Sequence, residues 1–331
     1  MRLQELTQLH GVSGYETEVR AYLEDVLRGK VDELSSDGLG NLIAYQRGSG
    51  ERKQRMMFAA HMDEIGFQVI KVQKDGLLMV KNMGHSFIHI AYGARIRFRN
   101  GTVGVISARV HADKLGSSFT DLYVDIGANT EEDARKVADV GDVACYVGEY
   151  QPLVGSAVLS KAVDDRMGCA MMVEAIERVP RPYHDVFWVF SVQEEVGTRG
   201  AKVAAHRIKP EIGISVDVTP HHDRPGDLEG SNTQGAGVAV KISDTSVICD
   251  ERIVRRMLDL CARDGIKCQK DVLYVGGNDA AAINLSGEGV RVGEVSVVTR
   301  YTHGDSCMVD LDDVEAGVKL ICALVLEPSP V

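Results

Sequence analysis

The feature that most constrains the fold is a break in the rhythm of the chain between residues 67 and 155. In this stretch, short apolar segments separated by glycine follow one another, among them FQVIKV, ARIRFR and DLYVDIG, with almost no helical period. Short runs of this kind, bounded by turn residues, are typical of β-strands. The sequence therefore predicts a small β-rich domain over residues 67–155.

On both sides of this segment, the apolar patterns of helices and strands alternate. Residues 14–28 carry apolar side chains at helical intervals, and Ser13 and Glu16 have the spacing of a capping box. Two short apolar runs, at 41–46 and 56–61, predict buried strands. The remaining predicted elements are helices at 166–178, 198–206, 251–264, 279–284 and 311–326, and strands at 185–192, 212–218, 237–242, 269–274 and 291–298.

Alternating strands and helices indicate an α/β fold in which helix layers sandwich a mixed sheet. We therefore predict a main domain made of residues 1–66 and 156–331, interrupted by a small, β-barrel-like domain at 67–155. In open α/β sheets, functional side chains gather at the carboxyl ends of strands. The candidate functional residues should therefore lie at those ends.

Composition argues against several classes of protein. A chain of 331 residues with 44% hydrophobic and 26% charged content is ordinary globular material. Its formal charge of −11 argues against nucleic-acid binding, which depends on Lys and Arg at backbone phosphates. No apolar run reaches the roughly 18 residues of a membrane span, and the N-terminal residues 1–14 lack the apolar core of a signal peptide. We expect a cytoplasmic protein with no membrane partner.

Five segments at predicted strand ends or in loops supply side chains that commonly bind metals. They are AAHMDEIG at 59–66, KAVDDRMG at 161–168, SVQEEVGTRG at 191–200, SVDVT at 215–219 and RYTHGD at 300–305. Each alone is a weak signal, because charged residues are mostly exposed without a ligand. Together, two imidazoles and three carboxylates are the donor set expected of paired Zn, Co or Mn ions. Paired ions polarise a carbonyl and activate water, so the chemistry indicated is hydrolysis of an amide.

In this order, the segments resemble the M42 family of metallo-aminopeptidases, the glutamyl and tetrahedral aminopeptidase group. The resemblance covers nearly the whole chain and rests on AHMDEIG at 60–66, VDDR at 163–166, QEEVGTRG at 193–200, DVT at 217–219, GGNDA at 276–280 and RYTH at 300–303. Two positions depart from the family pattern. Gly304 stands where Ser is common, and Asn278 stands where Thr often precedes the Asp.

The resemblance implies a role for six residues and two divalent ions in each subunit. The implied ligands form two groups that share one carboxylate: His61 and Asp217 on one ion, Glu195 and His303 on the other, and Asp164 on both. Glu194 is implied as the general base, which activates a water that bridges the metals. Zinc is the expected metal, with cobalt and manganese as alternatives.

Two acidic residues beside these ligands need separate treatment. Asp63 follows His61 by two positions, so in an extended chain its carboxylate faces the same way and can accept the free imidazole N–H. We assign Asp63 to the catalytic set in that supporting role. Asp165 competes with Asp164 for the bridging position, and only the resemblance favours Asp164. Because adjacent side chains normally point apart, one of the two should be structural.

The function implied by the resemblance is an aminopeptidase that removes N-terminal residues from peptides. A homo-oligomer built through the inserted domain is also implied, the family precedent being a dodecamer. A metal-dependent deacylase or amidase of small N-acyl substrates is the alternative on the same scaffold, since one fold hosts many reactions. A non-catalytic binding protein is disfavoured, because all five ligands and Glu194 are present together.

Overall fold

We describe the protein from a computed structural model, which covers residues 2–111, 114–116, 118–225 and 229–328. The predicted domains also include positions 1, 112–113, 117, 226–228 and 329–331, which lie outside the described residues. The helices are α1 (Leu3–Gln8), α2 (Thr17–Leu27), α3 (Ile88–Ala91), α4 (Glu131–Arg135), α5 (Val163–Arg178), α6 (Arg199–Ile208), α7 (Glu251–Asp264), α8 (Asp279–Asn284) and α9 (Leu311–Leu326).

The strands fall into two groups along the chain. Strands of the main sheet are β1 (Glu33–Ser36), β2 (Leu42–Gln46), β3 (Arg55–His61), β10 (Gln151–Pro152), β11 (Ala157–Ser160), β12 (Asp185–Ser191), β13 (Ile212–Pro220), β14 (Val238–Ser243), β15 (Cys268–Val272), β16 (Arg291–Arg300) and β17 (Cys307–Asp310). Strands of the second group are β4 (Gly66–Val72), β5 (Leu78–Met83), β6 (Arg95–Phe98), β7 (Val103–Ala108), β8 (Leu122–Asp125) and β9 (Val143–Tyr146).

The main sheet is mixed, with four parallel strands at its centre. Its order is β1-β2-β12-β3-β13-β16-β17-β11-β10, and β14 and β15 continue from β16 along a branch. Strands β12, β3, β13 and β16 run parallel to one another, so their carboxyl ends lie at one edge of the sheet. His61 and Ser191 are paired in register at that edge.

Helices cover both faces of this sheet, because side chains of a strand alternate between its two faces. On β3, Phe58 packs in the cluster that contains side chains of α1, α2, α5, α7 and α9. Its neighbour Met57 belongs to the cluster on the other face, with Ala204 of α6 and Ile283 of α8. The predicted α/β fold, a mixed sheet sandwiched between helices, is confirmed.

The second group of strands closes into a barrel of order β4-β5-β8-β7-β6-β9. Alternate residues of these strands point inward and form a separate core that includes Phe67, Ile96, Ile106 and Val124. The barrel strands begin at Gly66 and end at Tyr146, and the chain rejoins the main sheet at β10. The β-barrel-like insertion predicted from the sequence is therefore present.

The start of the chain differs from the sequence prediction. A short helix, α1, precedes the predicted one, and α2 begins at Thr17 with Glu16 as an N-cap that makes no side-chain cap bond. Ser13 instead donates its hydroxyl to Asp63, at 2.6 Å, while Glu16 accepts the amides of Gly14 and Gln193. The predicted capping box is wrong, because tertiary partners take both side chains.

None of the seven cysteines, all of which lie in the described part of the chain, forms a disulfide bond. All seven are free, and five of them are buried: Cys145, Cys169, Cys249, Cys261 and Cys307. The remaining two, Cys268 and Cys322, are partly buried. Among the described residues, no helix combines the length and apolar character that a membrane crossing requires.

A buried ionic network ties the N-terminal segment to helix α5. The guanidinium of Arg166, fully buried, donates to the backbone carbonyls of Met62 and Leu6 and lies 3.3 Å from a carboxylate oxygen of Glu64. Lys161 approaches the other oxygen of Glu64 at 2.8 Å. These contacts fix the chain immediately on either side of residues 163–165.

Arg166→Met is expected to lower the free energy of unfolding by about 3–5 kcal/mol, because it leaves a buried carboxylate short of one partner. Urea denaturation followed by circular dichroism measures the loss. Arg178→Met is the matched control on the same helix, since that arginine is partly exposed and forms surface ion pairs with Glu174 and Glu315. The control should cost at most about 1 kcal/mol. Equal losses of unfolding free energy in both variants would contradict the role of Arg166 in the buried ionic network.

Candidate metal centre and active site

The candidate ligands predicted from distant parts of the sequence lie at the carboxyl edge of the parallel strands. His61 is the last residue of β3, Asp217 lies near the end of β13, and Glu195 follows β12 in the loop to α6. His303 follows β16, where positive φ angles at Tyr301 and His303 turn the backbone. Asp164 lies at the start of α5.

These side chains form two groups whose ligand atoms lie within 4.8 Å of one another. One group contains His61, Asp164 and Asp217, and the other contains Asp164, Glu195 and His303. Asp164 belongs to both, with Oδ1 at 3.1 Å from Nε2 of His61 and Oδ2 at 3.2 Å from Nε2 of His303. Its two oxygens therefore face the two imidazoles separately.

Asp165 has different partners from its neighbour. The backbone of Asp164 and Asp165 departs from helical angles, although both residues lie within the bounds of α5. The carboxylate of Asp165 is fully buried and accepts the backbone amides of His61, at 3.1 Å, and Gly168, at 3.0 Å. Its contacts hold the backbone around the site, whereas those of Asp164 are with the imidazoles.

The carboxylate of Asp63 organises the loop that carries both glutamates. Its oxygens accept the backbone amides of Glu194, at 2.9 Å, and Glu195, at 3.2 Å. For Nδ1 of His61, the nearer partner is the backbone carbonyl of Asp63, at 3.0 Å, while the carboxylate lies 3.6 Å away. The expected contact between the imidazole and the Asp63 carboxylate is thus secondary to a backbone contact.

Glu194 lies beside the first group. One of its carboxylate oxygens is 3.9 Å from Nε2 of His61, and the side chain is only 11% exposed. Burial raises the pKa of Glu194 well above its usual range, and the His61 imidazole opposes that rise. A carboxylate with a raised pKa, close to the ligands, has the properties of a general base that must later release its proton.

The candidate ligands form an acidic cluster in which three carboxylates lie close to two imidazoles. Burial raises the pKa of Asp217 well above normal and that of Glu195 to about 7. Burial also acts to raise the pKa of Asp164, but hydrogen bonds from His303 and His61 outweigh it and lower the pKa. Such a set of oxygen and nitrogen donors fits divalent cations, whose charge would offset the repulsion between the carboxylates.

Asp279 is a further buried acidic residue near the candidate ligands. It does not cap helix α8, because Asn278 is the N-cap and accepts the amide of Ala280, at 2.9 Å. Asp279 instead accepts the hydroxyl of Ser191, at 2.6 Å. Sequence analysis did not single out Ser191, whose only signal is its position as the last residue of a buried strand.

A loop of the inserted barrel also reaches the site, which sequence analysis missed. The ring of His85, between β5 and α3, lies 5.9 Å from that of His303. The loop has no periodic pattern, so its position depends on how the barrel is placed on the main sheet. The one available signal was the concentration of aromatic and histidine residues in GHSFIHI, at 84–90.

Comparison with known proteins agrees with the fold and identifies the family. The family model described as M42 glutamyl aminopeptidase matches residues 40–320. A putative aminopeptidase of Acetivibrio thermocellus is 38% identical over 320 residues, which are 96% of this chain and 96% of that protein.

Solved structures give the same result. An aminopeptidase from the archaeon Desulfurococcus kamchatkensis has a TM-score of 0.94 and 33% identity, covering 99% of this chain and 94% of that one. The TET1 peptidase of Pyrococcus horikoshii, described as assembling into a tetrahedron or a large octahedral shell, has a TM-score of 0.88 and 31% identity, covering 99% of both chains. The chain therefore belongs to the M42 family of aminopeptidases and is a hydrolase of the peptidase type.

Proposed function

We propose that the protein is a dinuclear-metal aminopeptidase that removes N-terminal residues from peptides. The observation that carries this proposal is the sharing of Asp164 between two ligand groups, His61 with Asp217 and Glu195 with His303. Two imidazoles and three carboxylates suit Zn, and also Co or Mn. Membership of the M42 family supports peptides as the substrates.

In this proposal, the two ligand groups would hold divalent ions, which would polarise the scissile carbonyl and lower the pKa of the attacking water. Glu194 accepts a proton from that water and returns it to the departing amine. Burial raises the pKa of Glu194, which favours uptake of the proton from water. The two oxygens of Asp164 face different imidazoles, those of His61 and His303, so this one carboxylate could serve both ligand groups.

We assign positioning roles to Asp63 and Asp165. Asp63 fixes the backbone of Glu194 and Glu195 through two amide hydrogen bonds, so it orients the base and a ligand without touching substrate. Asp165 fixes the backbone of His61 in the same way. The sequence left the bridging position open between Asp164 and Asp165, and these contacts favour Asp164.

The test of the function compares two classes of substrate. Apo-protein reconstituted with Zn, Co or Mn is assayed on a panel of aminoacyl p-nitroanilides and on N-acyl amino acids. Turnover of the aminoacyl compounds is expected, together with a metal content of two ions per subunit. Turnover of the N-acyl compounds alone would replace the peptidase with the deacylase, which uses the same ligands.

We also propose a division of labour between two domains. Residues 1–66 and 156–331 would form the catalytic domain, and residues 67–155 would form a domain for self-association. The barrel exposes apolar side chains that a monomer would leave in water, among them Val103, Val105 and Val140, between 43% and 56% exposed. Assembly of the TET1 peptidase into closed shells supports a homo-oligomer, with the dodecamer as the proposed state.

Val105→Asp is expected to dissociate the oligomer, because a carboxylate buried in an apolar interface loses its hydration without gaining a partner. Light scattering coupled to size-exclusion chromatography measures the mass. Val203→Asp, on helix α6, is the matched control, since Val203 is 41% exposed against 43% for Val105. An unchanged mass for Val105→Asp, or an equal loss in the control, would remove the barrel from the interface.

A cytoplasmic location completes the proposal. Its support is the set of seven free cysteines, five of them buried, which suits a reducing compartment. Cell fractionation with antibodies against the chain tests it, and recovery in the periplasmic or secreted fraction would contradict it.

A further inference from the structure

The segment of residues 84–90, which we call the mouth loop, comprises the turn after β5 and the first three residues of α3, and it brings the barrel next to the site. At Gly84, φ is +80°, and a Cβ there would lie 3.0 Å from Cβ of Glu195 and 3.1 Å from its Oε2. Glycine is required both by the backbone angle and by this close approach. The barrel is therefore packed directly against a proposed metal ligand.

The same loop also contacts the other end of the second ligand group. The His85 ring lies 5.9 Å from that of His303, tilted by 56°, and the His85 backbone hydrogen-bonds to His303. A Cβ on Gly304 would approach a methyl group of Ile90 to 2.9 Å. Gly304, where Ser is common in the family, leaves the space that Ile90 fills.

Three rings of the mouth loop form a continuous row beside the site. His85 and Phe87 make an edge-to-face contact at 4.9 Å between centroids, and Phe87 and His89 lie 5.6 Å apart. All three side chains are exposed, whereas Ser86, between the first two, is buried. The three exposed rings present one aromatic surface to solvent, and its His85 end lies beside His303.

We propose that this aromatic row binds an aromatic side chain of the peptide substrate, and so determines specificity; the proposal rests on the aminopeptidase function above. An aromatic ring has a negative face and a positive edge, so it packs favourably against another ring. Aliphatic side chains lack this electrostatic match. The mouth loop contains no Lys or Arg to pair with an acidic side chain. Binding of a ring next to His303 would place the neighbouring peptide bond beside the ligands.

The test uses the metal-loaded, full-length protein and the dipeptides Phe-Ala, Ala-Phe, Leu-Ala, Lys-Ala and Ala-Ala. Phe87→Leu keeps an apolar side chain but removes the ring, and His85→Ala removes the ring nearest His303. In each variant, the ratio of kcat/KM for one of the two Phe dipeptides to kcat/KM for Leu-Ala is expected to fall roughly 3- to 10-fold. The fall should come mainly from a higher KM for that Phe dipeptide. His206→Ala, an exposed histidine on α6, is the control and should leave the ratio unchanged.

The dipeptide whose kcat/KM falls identifies the subsite that the aromatic row forms. A fall for Phe-Ala places the row beside the residue to be removed, and a fall for Ala-Phe places it beside the following residue; either supports the proposal. An equal fall for all five dipeptides, an unchanged ratio, or a wild-type preference for Lys-Ala over both Phe peptides would overturn it.

Binding measurements separate this proposal from the aminopeptidase function. Calorimetric titration with L-phenylalanine and L-leucine measures the row without turnover. Tighter binding of L-phenylalanine that weakens in Phe87→Leu, in a protein that cleaves no dipeptide, would uphold the row and refute the peptidase. If the wild-type protein cleaves the dipeptides but binds the two amino acids equally, the peptidase function is upheld and the role of the aromatic row is refuted.

Discussion

Glu194→Gln is expected to lower kcat by about two orders of magnitude or more while metal content stays at the wild-type level. Glutamine has nearly the same shape but cannot take up a proton, and loss of acid-base catalysis typically costs about 100- to 10,000-fold. The backbone amide of residue 194 can still donate to Asp63, so the loop should keep its position. Steady-state kinetics and elemental analysis on the same preparation measure both quantities.

Glu195→Gln is the matched comparison in the neighbouring position. Because Glu195 belongs to a ligand group and Glu194 does not, only Glu195→Gln should lose metal. A wild-type rate in Glu194→Gln would remove its role as base. Equal loss of metal in both variants would make Glu194 a ligand instead.

Asp164→Ala is expected to lose metal from both groups and, with it, nearly all activity. Since even the outer partners of metal ligands are worth about 10- to 100-fold in affinity, removal of a carboxylate shared by two ions should cost more than about 100-fold. Elemental analysis after dialysis gives the stoichiometry, and urea denaturation of the apo-protein shows whether the fold is intact. An unchanged content of two ions would move the bridge to Asp165.

Asp165→Asn separates the neighbouring position from the bridge. Its carboxylate accepts two backbone amides, so an amide at this position loses one acceptor and should destabilise the apo-protein. The metal content at saturating metal is expected to remain two. The two substitutions thus affect different quantities. Asp164→Ala should lower the metal content, and Asp165→Asn should lower the stability of the apo-protein.

Central elements of the fold could be predicted from the sequence because buried elements have recognisable apolar patterns. The strand predicted at 185–192 is β12, Asp185–Ser191, and the helix predicted at 251–264 is α7, Glu251–Asp264. Parallel strands covered on both faces show long apolar runs that end where the chain leaves the core. The polar residues at those ends are therefore visible in sequence as candidates for the site.

Features decided by tertiary contacts could not be predicted. Ser13 and Glu16 have the spacing of a capping box, but the packing of the N-terminal segment on the site gives Ser13 a better partner in Asp63. Helix α1, six residues long, is too short to show a period. The mouth loop reaches Glu195 only because the barrel sits against the sheet, and no local pattern encodes that placement.

The sequence could not distinguish Asp164 from Asp165 for a similar reason. Both are carboxylates in adjacent positions, and the apolar pattern predicts a helix beginning at 166. The helix extends to Val163, with a non-helical backbone at the two aspartates. This departure directs one side chain to the imidazoles and the other to backbone amides, and it has no signature in residue type.

The insertion of the barrel between β3 and α5 has a consequence for biosynthesis. The first proposed ligand, His61, emerges from the ribosome early, but the last, His303, emerges only after nearly the entire chain has been made. Because contacts between distant positions form late and slowly, we expect that a nascent chain cannot hold both ions. Metal loading should therefore follow translation, and premature termination before residue 303 should yield products that carry no complete second centre.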